Sequence, residues 1–125
     1  DYRLKENVSY TFDATNLLKQ LKPCEFNFIG VDETITGFLA HEVDEVVNNA
    51  VNGVKDAVET IGTITNSEGE VIAENAREAI KSEDDTFTST GTQIIPQSLD
   101  PSKLVPLLVK TIQELEARIT ALESV

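Results

Sequence analysis

The chain contains no methionine, one cysteine and one histidine. A lone Cys24 rules out a disulfide within the chain. In "KPCEFNF", beside an expected strand, it reads as a small buried apolar residue and not as a nucleophile. Cys24 and His41 cannot between them furnish the four ligands that zinc takes, so neither a metal nor a cofactor is expected. His41 reads as a capping or interface residue. A Gly-rich phosphate loop is missing, as are a paired metal motif and a Ser-His-Asp order. No run of about eighteen apolar residues occurs, so no membrane-spanning helix is expected. Cations are scarce too: 10 Lys and Arg stand against 22 Asp and Glu, a net charge of −12. Phosphate backbones and anionic membranes repel such a surface, which argues against nucleic acid or membrane as partner. No signal segment precedes Asp1, and the chain reads as belonging to a reduced compartment, whole or as a fragment.

What is present is one domain's length, 125 residues, with α+β patterning. "YRLKENVSYTF" sets Val8, Tyr10 and Phe12 on one face if extended. In "DATNLLKQLKP" Asp13 is the expected N-cap, Leu17, Leu18 and Leu21 form an apolar stripe, and Pro23 stops the helix. "CEFNFIG" and "ITGFLA" read as short strands around a turn at "VDET". "HEVDEVVNNAV" follows as an amphipathic helix led by Val43, Val46 and Val47. Residues 1–51 thus form a small α+β unit.

The character changes over 52–97, a Thr-, Ser-, Glu- and Gly-rich stretch that carries half of the net charge. "TIGTITNSEGEVIA" predicts a hairpin turning at "NSEG", and "TFTSTGTQII" a further strand. An excursion of this length inside a small domain is either functional or disordered. Residues 98–125 hold the clearest pattern. Asp100 is the expected N-cap and Pro101 the first helical residue. Val105, Ile112 and Ile119 then fall at heptad position a, and Leu108, Leu115 and Leu122 at d, a coiled-coil stripe. Arg118 at g and Glu123 at the next e can pair between chains. Pro106, a turn into this helix, predicts a kink. Such a stripe can pack on its own domain or join copies; its run to the end of the chain favours oligomerisation.

Three stretches in order, "DYRLKENV" at 1–8, "GFLAHEV" at 37–43 and "DPSKLVPLLVKTIQELEARI" at 100–119, carry a resemblance, extended weakly by "LKPCEFNF". Together they resemble the intramolecular chaperone auto-processing domain at the C-terminus of phage tail spikes and tail fibres. The resemblance implies a homotrimer of small α+β units with a C-terminal helical bundle and protruding arms that reach toward the fibre, with residues 52–97 in the place of the arm. It implies that the precursor, in the host cytoplasm during phage assembly, cuts itself between a Ser and Asp1. The chain is then the released product, absent from the mature fibre. A Ser–Lys dyad would do the chemistry, in a single turnover: the lysine falls on Lys5, and Arg3, Glu6 and Asn7 either order the dyad or an oxyanion or merely hold the N-terminal turn. Lys5 needs a neutral amine, through desolvation or a neighbouring cation such as Arg3.

The function expected is a chaperone that trimerises, guides the upstream β-rich fibre or spike of its own precursor, and leaves by self-cleavage. Two other readings stand beside it: a permanent trimerisation tip without protease activity, and an acidic inhibitor or adaptor that binds a basic protein.

Overall fold

The computed structural model describes all residues, 1–125. They divide into two units, one formed by Asp1–Asn52 with Ser98–Val125, the other by Gly53–Gln97.

The first unit is mixed α+β and builds its core from short elements. After an exposed segment over 1–13, Ala14 is fully buried and leads into α1 (Thr15–Leu18). The expected cap, Asp13, does not serve: Ala14 is the N-cap, and the Asp13 carboxylate instead accepts from Asn16 Nδ2 at 3.1 Å. Strands β1 (Cys24–Phe26) and β2 (Ile35–Gly37) pair antiparallel, with Phe26 opposite Ile35. Cys24 is only half-buried, a free thiol at the start of β1, because three-residue strands bury little. Phe28, expected beside Phe26 on the strand, lies past its end, and the two rings meet edge to face at 5.5 Å.

Helix α2 (Ala40–Asp44) supplies Val43 to the core, and Val47 and Ala50 follow it. Strand β3 (Val51–Asn52) then pairs antiparallel with β7 (Ser98–Leu99), and Asp100 N–H donates to the Ala50 carbonyl at 2.7 Å. The chain therefore leaves this unit and returns to it on neighbouring, hydrogen-bonded strands.

Helix α3 (Val105–Glu123) closes the core with Leu107, next to Leu104 just ahead of it. Its start corrects the expectation of one helix from Pro101 with a kink at Pro106. Residues 101–103 form a 3-10 turn, capped by the Asp100 carboxylate, and the α-helix begins at Val105. Pro106 has no N–H to give to the Ser102 carbonyl. In the first turn that N–H has no partner in any case, so the helix starts where proline fits and needs no kink.

In the second unit β4 (Val58–Thr65) lies between β5 (Val71–Arg77) and β6 (Thr86–Ile94), all antiparallel. Asn66 Oδ1 accepts from Glu68 N and Glu70 N, and Gly69 at φ +85° completes the β4–β5 turn. Gly62 is held to glycine by contact: a Cβ there would sit 2.1 Å from the Thr88 carbonyl. The buried set is small, Ile64 with Ala76. Of "ENAREAIKSEDD", Glu74 to Arg77 belong to β5, a 3-10 turn follows at Glu78–Ile80, and Asp85 N–H closes a further turn on the Ser82 carbonyl at 3.1 Å.

Candidate functional site

The N-terminal segment folds locally around its own charges. Asp1 caps a 3-10 turn over Tyr2–Leu4 by accepting from Arg3 N at 3.0 Å. The same carboxylate takes Arg3 Nε at 2.9 Å and Nη2 at 2.6 Å, a two-pronged pair. Lys5 ends the turn in extended conformation, its N–H on the Tyr2 carbonyl at 3.1 Å. Asn7 sits at φ +54°, a left-handed backbone that asparagine tolerates better than most residues.

Asp1 and Arg3 are thus brought into contact, and Lys5 and Asn7 into the same exposed stretch. Lys5 makes no side-chain hydrogen bond or ion pair. Arg3, the neighbouring cation expected to act on Lys5, is paired with the Asp1 carboxylate. Within one chain the Lys5 amine therefore stays solvated.

Further along, the segment lies against α3. Lys110 Nζ donates to the Tyr10 carbonyl at 2.9 Å and stands 5.7 Å from the centre of the Phe12 ring. Pro106, Val109 and Gln113 line the same contact.

Helix α3 consequently has three faces, about a third of a turn apart at 3.6 residues per turn. One, with Leu107 and Thr111, enters the core, and Glu114 on this face accepts from the Thr15 hydroxyl. A second meets the N-terminal segment. The third is the a/d stripe, which the chain leaves largely exposed: only its first residues, Val105 and Leu108, have neighbours from other elements. Val105, Leu108, Ile112, Leu115, Ile119 and Leu122 are all 42–75% exposed. From Leu115 to Glu123 every residue is exposed on every face. Six large apolar side chains in one row far exceed the scattered exposure normal for a surface helix. The stripe was visible in the sequence. The docking of Tyr10 and Phe12 was not, because it joins residues a hundred positions apart through one lysine.

No helix is long and apolar enough to cross a membrane, and no cluster of three or more His, Cys, Asp or Glu side chains is placed to hold a metal ion.

Residues 1–52 match the family model described as chaperone of endosialidase. The match supports a chaperone role for a phage tail protein, and the family is named as a peptidase. The chaperone-of-endosialidase match takes in Asp1, Arg3, Lys5 and Asn7 and stops at Asn52, where the chain leaves its first unit. Helix α3, which completes that unit, lies outside the matched residues. No curated protein matches the chain.

Proposed function

We propose that the chain is the C-terminal intramolecular chaperone of a phage tail fibre or tail spike, and that it assembles as a homotrimer through α3. It guides the upstream β structure of its own precursor and is then released by cleavage just before Asp1. The observation that carries the reading is the family match over residues 1–52. The exposed a/d stripe supports its oligomeric part. Non-local β pairing is slow and exposed to aggregation, so holding chains in register while it forms is where a chaperone helps most. Removing the helper afterwards leaves the assembled fibre kinetically trapped.

In the cleavage step the hydroxyl of the serine that precedes Asp1 in the precursor loses its proton to the Lys5 amine and attacks a backbone carbonyl. The proton passes to the departing Asp1 amine, and water hydrolyses the ester that remains. Attack on the carbonyl of its own residue closes a strained four-membered ring; a serine from a neighbouring chain avoids that strain. Lys5 is exposed in the single chain, so desolvation has to come from assembly. Cleavage is thereby tied to the assembled state, inside the host during phage assembly.

The same exposure favours a second reading, a permanent trimerisation tip in which Lys5 is an ordinary surface lysine. Expression of the precursor with and without residues 1–125 tests the chaperone role. Soluble, protease-resistant fibre should require them in the same polypeptide. Equal yields without them would overturn it.

A further inference from the structure

Residues 1–12 include Asp1 and Lys5, yet every one of them is exposed, and they bond to the rest of the chain at a single point. Their other hydrogen bonds and their one ion pair are internal. Asp1 takes Arg3, Lys5 N–H closes on Tyr2, and the Ser9 and Thr11 hydroxyls meet at 3.3 Å. The outward bond comes from α3: Lys110 Nζ donates to the Tyr10 carbonyl at 2.9 Å. The same ammonium stands 5.7 Å from the centre of the Phe12 ring, the negative face that attracts a cation. One side chain thus holds the backbone and an aromatic ring of the same short stretch.

Lys110 is free to do this because no acid claims it. It is half-buried and forms no ion pair, in a chain with 22 Asp and Glu. Of its neighbours at helical spacing, Pro106, Leu107 and Gln113 carry no charge. The fourth, Glu114, is turned away, since its carboxylate accepts from the Thr15 hydroxyl of α1. The cation is left to a carbonyl and a ring, both supplied by the N-terminal segment.

We infer that Lys110 is a positioning residue for the cleavage: it ties residues 10–12 to α3 and so keeps Lys5, and the bond ahead of Asp1, close to the first unit. The inference rests on the proposed self-cleavage with Lys5 as proton acceptor, and needs nothing of the a/d stripe. Lys5 is five residues from Tyr10, a reach of at most about 17 Å. The turn at Asn7, φ +54°, shortens that reach further. Without the tie the nearest fixed residue is Ala14, fully buried and nine residues from Lys5, a reach of about 30 Å. Effective concentration falls roughly as the −3/2 power of tether length, so lengthening from five residues to nine lowers it about 2.4-fold. Lys110 acts through the chain that carries Lys5, and takes no part in moving the proton.

Two variants and two readouts test it. In the chain of residues 1–125, Lys110→Ala should free the segment, so that chymotrypsin cuts after Tyr10 and Phe12 faster than in the wild type, with the circular dichroism of the fold unchanged. In the precursor, cleavage before Asp1 should slow about two- to threefold or more in Lys110→Ala. Lys110→Arg keeps both cation and donor and should restore the wild-type rate, which a proton acceptor replaced by arginine could not do. The midpoint of the rate against pH should stay that of the wild type in both variants, because the proton acceptor is untouched. A segment loosened in Lys110→Ala but cut before Asp1 at the wild-type rate would overturn the inference and leave the cleavage reading standing. So would Lys110→Arg as slow as Lys110→Ala, or a wild-type segment that chymotrypsin digests as fast as the variant's. A precursor that is not cleaved with Lys110 in place overturns both.

Discussion

Lys5 shows how far one residue can be understood from its own chain. It ends a 3-10 turn, faces solvent and has no partner of its own. In the proposed cleavage it would be the proton acceptor, which requires a neutral amine. Lys5→Ala should therefore abolish the small fragment on a denaturing gel while leaving the assembled mass unchanged. Lys5→Arg should fail equally, because guanidinium stays protonated at any working pH. Normal cleavage in either variant would contradict the dyad. Asp100 is a different case, a cap whose chemistry is complete within the chain. Its side-chain bond from Ser102 Oγ, then the Ser102 backbone N–H, hold its carboxyl below the ordinary range. A depressed folded pKa gives stability that is present above the unfolded pKa and lost as pH falls through the folded one. The thermal midpoint of the wild type should thus exceed that of Asp100→Ala at about pH 6, and the gap should close toward about pH 3. A gap independent of pH would mean that the cap acts without its charge. This cap was legible from "DPS"; the Asp1–Arg3 pair was not, because sequence spacing does not say which acid a nearby arginine takes.

Among the elements, α3 separates packing from association. Leu107 is on its core face, so Leu107→Ala should destabilise the fold by roughly 2–5 kcal/mol, read from denaturant unfolding. Ile112 is on the free stripe. Ile112→Asp should leave the circular dichroism of the fold intact, abolish self-association, and stop cleavage in the precursor. If Ile112→Asp unfolded the chain as Leu107→Ala weakens it, the stripe would belong to the core. Periodicity made α3 readable, yet it could not choose between the Leu104–Leu107 face and the a/d face, since both are apolar at helical spacing. Only the short elements packed around the core, α1, α2 and the β3–β7 pair, decide that. The start of α3 was misread for a local reason: Pro101 and Asp100 signal a helix start, but Pro106 is the residue that sets where α-helical hydrogen bonds begin. The strands over 58–94 followed their turn chemistry, with Asn66 and Gly69 where a tight turn needs them. The full exposure of Ile29 was hidden because an apolar residue in a loop reads from sequence like one in a core.

At the scale of the whole molecule, β3 and β7 close the first unit on themselves where the chain leaves it. Replacing Val54–Ile94 by a short Gly/Ser linker should accordingly shift the melting midpoint of the remaining unit by only a few degrees, as expected for a change of under about 1 kcal/mol. A collapse of that midpoint would show that the second unit is structural support. In the precursor the same deletion should lower the yield of soluble fibre, because the acidic, β-rich excursion is the part suited to weak contact with a partly folded client. In the proposed assembly three copies are held together through the stripe of α3 that the single chain leaves exposed. Sedimentation equilibrium of residues 1–125 tests it most directly. A mass near three times 13.7 kDa is expected, and a monomer mass at every concentration would contradict the assembly.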